Sequence, residues 1–229
     1  MARLTWHGHS TFTLETGAGR RIMFDPFLDE NPKSDLKVAD VEQLDYILCS
    51  HGHFDHFGDA IELARRTGAT IVGTFELVAF AQSKGVEHGH GMNVGGGHAF
   101  DFGWVKLTPA VHSGTIDGDD EGRYTSVAHG FWMDLDGTRL YFAGDTALIT
   151  DMQLLKGSVD VALLPIGDNF TMGPDDAVRA VEFIAPRTVI PMHYDTWPPI
   201  EQDAEAFRAR VGDRAEVVVL QPGGSYEFQ

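Results

Sequence analysis

Four side chains able to bind a metal ion fall within six residues of the segment Ser50-His51-Gly52-His53-Phe54-Asp55-His56-Phe57-Gly58. Neutral imidazole is the commonest protein ligand for metals. In an extended segment His51 and His53, two apart, point to the same side. Asp55 and His56 fall where the chain turns toward a following helix, so they can face the same space from another direction. As ordinary solvated loop residues, these four interleaved with Gly and Phe have no packing or solubility rationale. Three more candidates stand just beyond apolar runs: His112 after Val105 to Val111, Asp145 after Leu140 to Gly144, and His193 after Val189 to Met192. Five histidines and two aspartates exceed what one tetrahedral ion can use. The set suits two ions about 3.5 to 4 Å apart, sharing a bridging carboxylate and a bridging water.

The elements that must hold these residues are legible as strands and helices. Leu4 to His7, Thr11 to Glu15 and Arg21 to Phe24 read as a meander of short strands separated by polar or Gly-rich turns. Asp45 to Cys49 is a nearly continuous apolar run, as in a strand buried on both faces. Asp59 to Thr67 then has helical spacing at Ile61, Leu63 and Ala64. Ala69 to Val72 and Phe75 to Ser83 repeat the strand-helix order, and Gly85 to Gly97 reads as Gly-rich loop carrying exposed His88, His90 and, just beyond, His98. Strands are expected over Phe100 to Val111, Ser126 to Leu135 and Arg139 to Phe142, with Asp136-Gly137 as a hairpin turn. Val159 to Pro165 and Thr188 to Pro191 read as buried strands, Pro174 to Ile184 and Ile200 to Val211 as helices, and Ala215 to Leu220 as a last strand. Pro174 starts its helix with Asp175 and Asp176 in the first turn. No repeat or linker interrupts this order, so residues 1–229 are expected to form one α/β domain. The His51 to His56 segment directly follows a buried strand, beyond whose carboxyl end α/β folds build their sites.

Composition narrows the partners. The chain has 229 residues, 43% hydrophobic and 10% aromatic, too rich for disorder. No apolar run approaches the roughly 18 residues of a spanning helix. The net charge of -17 argues against a nucleic-acid binder or a protein attracted to anionic membranes. A single cysteine, Cys49, excludes an intrachain disulfide, and Met1-Ala2-Arg3-Leu4-Thr5 leads straight into strand-like sequence, so a cytoplasmic location is expected. The expected partner is a small-molecule substrate, with self-association left open.

In order, His51-Gly52-His53-Phe54-Asp55-His56, His112, Gly144-Asp145-Thr146 and His193 resemble the motif set of the metallo-β-lactamase superfamily over nearly the whole chain. The resemblance implies a four-layer αββα sandwich with mixed sheets. It assigns His51, His53 and His112 to a first metal, Asp55, His56 and His193 to a second, and Asp145 to the bridge. The segments His7-Gly8-His9-Ser10, Phe24-Asp25-Pro26-Phe27, Leu164 to Pro174 and His193-Tyr194-Asp195-Thr196 resemble a group of small prokaryotic metal-dependent hydrolases. They are similar, more distantly, to the ascorbate-phosphate lactonases. β-Lactamases of this fold carry a cysteine where Asp145 stands here, which disfavours antibiotic hydrolysis. The related di-iron oxygen reductases have Glu where this chain has His53, and they carry a flavin domain that 229 residues leave no room for.

Two dications set against Asp55, Asp145 and a bridging hydroxide leave a local site of about +1, in which bound water ionises near neutral pH. The expected function is therefore a binuclear metal-dependent hydrolase that attacks an ester-type bond (lactone, ester or thioester) with a metal-bridging hydroxide. The alternatives are a phosphodiesterase, or a non-catalytic metal-binding protein with a vestigial site. Zinc is the first choice for a His-rich, thiolate-free set, with manganese, iron and nickel compatible. Asp55 and Asp145 are expected to be catalytic. His9 either lines the pocket or makes a structural hydrogen bond, and Asp168 either orients a ligand histidine or caps a turn. His7 and His129 receive no role. Trp197-Pro198-Pro199 either shapes the pocket mouth or packs at a subunit contact.

Overall fold

The computed structural model describes residues 1–229. The meander forms as expected from β1 (Ala2–Trp6), β2 (Phe12–Glu15) and β3 (Arg21–Phe24), antiparallel in that order. Beside β3 lie β4 (Tyr46–Leu48), β5 (Thr70–Thr74) and β6 (Gly89–Met92), all parallel to it. Parallel neighbours require crossovers. These are supplied by α1 (Phe54–Phe57) with α2 (Ala60–Thr67), and by α3 (Phe75–Ser83).

The second sheet begins antiparallel with β7 (Gly97–Phe100), β8 (Gly103–Pro109), β9 (His129–Leu135) and β10 (Thr138–Phe142). It continues parallel through β11 (Val161–Pro165), β12 (Thr188–Met192) and β13 (Glu216–Val217). Its crossover helices are α4 (Pro174–Ile184) and α5 (Ala204–Val211). A last strand, β14 (Ser225–Phe228), returns to the first sheet antiparallel to β1. The expected Asp136-Gly137 hairpin joins β9 to β10 with φ of +54° and +96°, the doubly positive pair of a tight hairpin turn.

The two sheets face each other over an apolar core containing Leu4, Phe12, Phe24, Phe131 and Phe142, all buried. A second cluster packs α2 and α3 on the outer side of the first sheet through Leu63, Leu77 and Phe80 against Met23, Ile47 and Cys49. On the other side Ala177, Ala180 and Val181 of α4 and Phe207 of α5 cover the second sheet. The layers are therefore αββα. No helix is long and apolar enough to cross a membrane.

Several expected boundaries shift. The Gly-rich stretch from 85 to 97 is not all loop, since it contains β6, an edge strand whose Gly89 lets α3 approach closely. His90 and His98 sit on β6 and β7 with ring centroids 4.1 Å apart. The run from Phe100 to Val111 is broken at Asp101-Phe102 by a turn, and the strand expected from Ser126 starts at His129. The helix expected from Ile200 begins at Ala204, because Asp203 caps it by accepting the Glu205 and Ala206 amides at 3.0 and 2.9 Å. The strand expected over 215–220 shrinks to Glu216–Val217 at the sheet edge.

Candidate metal centre

The candidate ligands lie beyond the carboxyl ends of strands, with Asp55 and His56 carried on the short α1 that follows His53. His51 follows β4, His112 follows β8, Asp145 follows β10 and His193 follows β12. Backbone hydrogen bonds tie the two sheets together here, with the His129 amide donating to the Ser50 carbonyl at 3.1 Å and the His193 amide to the His9 carbonyl at 2.9 Å. Thr146 Oγ1 accepts the Val111 amide at 3.0 Å, tying the loop of His112 to that of Asp145. His9, Asp25 and His193 all sit at positive φ (+53°, +41° and +56°), a conformation costing roughly 1–2 kcal/mol for a side chain with a Cβ. Strain of this kind concentrates where geometry serves a site.

The donor atoms form two groups facing the cavity, and a third, Asp25 with His51 and His56, lies behind them. His51, His53 and His112 bring their ligand atoms within 4.8 Å of one another, and so do His9, Asp55, His56 and His193. Asp145 stands between them: its Oδ2 is 3.6 Å from His112 Nε2 on one side, and 3.3 and 3.0 Å from the Nε2 atoms of His56 and His193 on the other. Six of the seven expected ligands are thus joined through the seventh. His51 Nε2 and His53 Nδ1 approach to 2.9 Å.

Which nitrogen faces inward follows from the outer hydrogen bonds. His56 Nδ1 donates to Asp25 Oδ2 at 2.7 Å, and Ser50 Oγ donates to the same oxygen at 2.5 Å. With its hydrogen so engaged, Ser50 Oγ accepts from His51 Nδ1 at 3.0 Å. His51 and His56 are both left presenting Nε2 to the centre. His53 is turned the other way, with Nε2 3.3 Å from Ser113 Oγ and Nδ1 facing inward. His51 Nε2 and His53 Nδ1 thus face each other, and a cation between them would take a lone pair from each.

Other atoms agree. Asp145 Oδ1 is buried without a partner, and His56 Nε2 and His193 Nε2, though 3.3 and 3.0 Å from Asp145 Oδ2, make no aligned hydrogen bond. Buried polar atoms are rarely left unpaired. A thiolate-free set of neutral imidazoles and carboxylates aimed at common points fits divalent metal ions.

The charges behave accordingly. Burial and neighbouring His56 lower His51, and burial chiefly lowers His112, keeping both neutral as ligands must be. Burial opposes ionisation of Asp145, yet His193 and His56 hold its carboxyl well below the usual range. His56 is the exception: Asp145, Asp55 and Asp25 outweigh its burial and raise it, so it must release its Nε2 proton for an ion to bind there. Burial pushes the Asp25 carboxyl up, against the pull of His56 and Ser50.

The remaining candidates separate. His9 is fully buried in the site, with Nε2 3.1 Å from Asp55 Oδ2 and Nδ1 2.8 Å from Thr196 Oγ1, so it both lines the centre and makes a structural bond. Asp168 is exposed and does not approach a histidine; Oδ1 accepts the Asn169 amide at 2.9 Å and its carbonyl accepts the amides of Phe170 and Thr171. That is turn-capping geometry and not the orienting of His193. His7 lies outside the centre, held between Asp35 Oδ1 at 2.8 Å and Thr13 Oγ1 at 2.9 Å. His129 is buried at the start of β9, with Nδ1 3.1 Å from the Val127 carbonyl. Trp197 and Pro199 line the cavity above the ligands, together with Phe54, Ser113, Asp117 and Phe170.

Asp25, Ser50, Ser113 and Thr146 are the residues that sequence reasoning passed over. For Asp25 a signal existed: it ends the strand beside β4, so its carboxylate and the His51 loop leave the sheet as neighbours.

A profile of the beta-lactamase superfamily domain matches residues 3–193. A UPF0173 metal-dependent hydrolase of Staphylococcus aureus (strain JH9) is 47% identical, the match covering 99% of this chain and all of that protein. Igni18, a metallo hydrolase of the archaeon Ignicoccus hospitalis KIN4/I, superposes with a TM-score of 0.89 at 36% identity, covering 100% of this chain and 99% of that one. An isothiocyanate hydrolase from Delia radicum gut bacteria shares the fold, with a TM-score of 0.77 at 19% identity over 99% of this chain and 98% of that one. The chain belongs to the metallo-β-lactamase superfamily and, within it, to the small prokaryotic UPF0173 group. It is a metal-dependent hydrolase.

Proposed function

We propose that the chain holds two divalent ions, zinc in the first instance, and hydrolyses an ester-type bond (lactone, ester or thioester) of a small molecule. The observation that carries this reading is the position of Asp145 Oδ2 between the His51/His53/His112 group and the Asp55/His56/His193 group. Bound there, such ions supply a water activated near neutral pH and a Lewis acid for the attacked oxygen.

The chain's own residues do the positioning. Asp145 fixes the separation of the two groups, and Asp25 and Ser50 lock the tautomers of His56 and His51. His9 is held neutral, its pKa lowered to about 3 by burial and by His193, so it is a poor proton acceptor. It donates Nε2–H to Asp55 Oδ2 and receives the Thr196 hydroxyl at Nδ1, which aims Asp55. His9 is thus a positioning residue. The cavity, about 450 Å³, suits a small molecule, and its lining holds no Lys or Arg to grip a phosphodiester at the reacting atoms. That favours carbonyl esters over phosphodiesters.

The test is metal analysis of the purified protein together with a panel of lactones, esters, thioesters and phosphodiesters. Two ions per chain and carbonyl-ester turnover that disappears with a chelator and returns with metal are expected. One ion per chain, turnover indifferent to chelation, or preference for phosphodiesters would overturn the reading.

A further inference from the structure

The metal cavity does not end at its own wall. Phe54 and Asp117 line it, and both also line a second groove of about 420 Å³ that continues over the outer face of α1 and α2. The floor of that groove is apolar, made by Phe57, Ile61 and Phe80, and Phe54 forms the ridge between the two spaces while remaining 48% exposed. On the metal side Phe170, 54% exposed, and Trp197 face the same cavity. Two large aromatic side chains left half in water beside a reacting centre are surface that an apolar group can cover.

Charge distinguishes the two spaces. The metal cavity has Asp55, Asp117 and Asp145 in its lining beside His53, His112 and His193, and no Lys or Arg. The groove beyond Phe54 carries Arg65 and Lys84 against one carboxylate, Asp117, whose Oδ2 already accepts the Phe54 amide at 2.7 Å. Every other arginine of the chain has an acidic partner or, for Arg66, a carbonyl. Arg65 has neither. Lys84 rests over the Phe80 ring, 5.0 Å from its centroid, with one long contact of 3.4 Å to the Gly118 carbonyl. On a surface with a net charge of -17, an arginine without a partner and Lys84 sharing one groove contiguous with the site form a local cluster of positive charge.

We propose that the substrate is amphipathic and anionic at its far end: the ester-type bond lies at the metal centre, an apolar stretch crosses Phe54, and a remote anionic group is held by Arg65 and Lys84. This rests on the ester-hydrolase reading above, and it places the specificity of that reaction in α2 and α3, outside the ligand loops. Within α2 Arg65 stands four residues, about 6 Å, beyond Ile61 of the groove floor, so a chain that crosses Phe54 and Ile61 brings its far end to the arginine.

The probes are hydroxamates, which anchor on metal ions and need no knowledge of the natural substrate. Calorimetry on the metal-loaded protein would compare acetohydroxamate, octanohydroxamate and the monohydroxamates of succinic, suberic and dodecanedioic acids, beside acyl hydroxamates of matching length. Octanohydroxamate should bind at least about tenfold tighter than acetohydroxamate. At one chain length the carboxylate-tailed compound should gain a further factor of about three to ten, and that gain should fade with salt. A double variant, Arg65→Gln with Lys84→Gln, should abolish the carboxylate gain and leave the octano-to-aceto ratio as it was. Carboxylate tails that bind no tighter than methyl-ended chains at every length, or a gain that survives the double variant, would overturn the proposal while leaving the hydrolase reading intact. Loss of all hydroxamate binding by a protein that holds no metal would remove both.

Discussion

Asp145 joins the two groups of donor residues, because one carboxylate oxygen lies within 3.6 Å of nitrogens from each. Asp145→Ala should leave the three-histidine group able to hold one ion while the other site empties. Metal content should fall from two ions to about one, and turnover should drop at least about a hundredfold. Atomic absorption and steady-state rates on the same preparation check this, and two ions with unchanged turnover would remove Asp145 from the centre. Asp25 acts one step further out. In Asp25→Asn the Asn side chain accepts less strongly from His56 Nδ1 and Ser50 Oγ, so the tautomers of His56 and His51 are held less firmly. Outer partners of this kind typically contribute a factor of 10 to 100 in metal affinity. A chelator competition should show a loss of that size with the circular dichroism spectrum unchanged. Wild-type affinity in Asp25→Asn would mean that the bond is structural only.

At the scale of the elements, the strand ends must approach closely for the ligands to converge, and glycines permit it. Gly144, at φ +62°, has no room for a Cβ, which would stand 2.8 Å from the His129 carbonyl oxygen and 2.9 Å from Ser50 Cβ. Gly68, at φ +75° after α2, would place its Cβ in open space. Gly68→Ala should therefore cost only the conformational penalty of about 1 kcal/mol, and Gly144→Ala at least about twice that, with loss of metal. Urea unfolding of the two variants measures the contrast, and equal losses would refute the crowding argument. This crowding also explains what the sequence could and could not disclose. The convergence of candidates such as His51, His112 and His193 is legible because chemically distinctive residues follow apolar runs, and that pattern is local. β6 was hidden in a Gly-rich stretch because Gly89 answers to α3 across a close contact and not to strand propensity. β14 was missed because a four-residue edge strand is fixed by its partner β1, 220 residues away at Thr5 and Ser225. Asp25 and Ser50 went unassigned for the same reason: each is an ordinary residue until β3 and β4 lie side by side. Asp168 carried a misleading likeness, following a strand end as the ligands do, while its turn bends it out to solvent.

For the whole molecule, His129, a fully buried histidine outside the metal groups, sets a pH limit. Burial lowers His129 from 6.5 to about 4, so the folded protein keeps it neutral while the unfolded chain protonates. A depressed histidine means that the unfolded state binds more protons between those two values, and stability is lost as pH falls through that window and is flat above it. On moving from pH 7 to pH 5, His129→Gln should lose about 2 kcal/mol less stability than the wild type, measured by urea titration at both values. An identical pH dependence in the two proteins would show that His129 is not the titrating group. The division of the ligands between sheets has a different consequence. His51, His53, Asp55 and His56 leave the first sheet, whereas His112, Asp145 and His193 leave the second, and the chain passes from one to the other once through Asn93–Gly96 before β14 returns. A gene cut at that crossing would yield fragments 1–94 and 95–229, each with part of the apolar interface and neither with a complete ligand set. Ions that bind only the paired fragments contribute about 4 kcal/mol when present at a thousand times their dissociation constant. The two pieces should therefore reassemble as a zinc-responsive split enzyme, with association measured by fluorescence tightening as metal is added and relaxing when it is chelated.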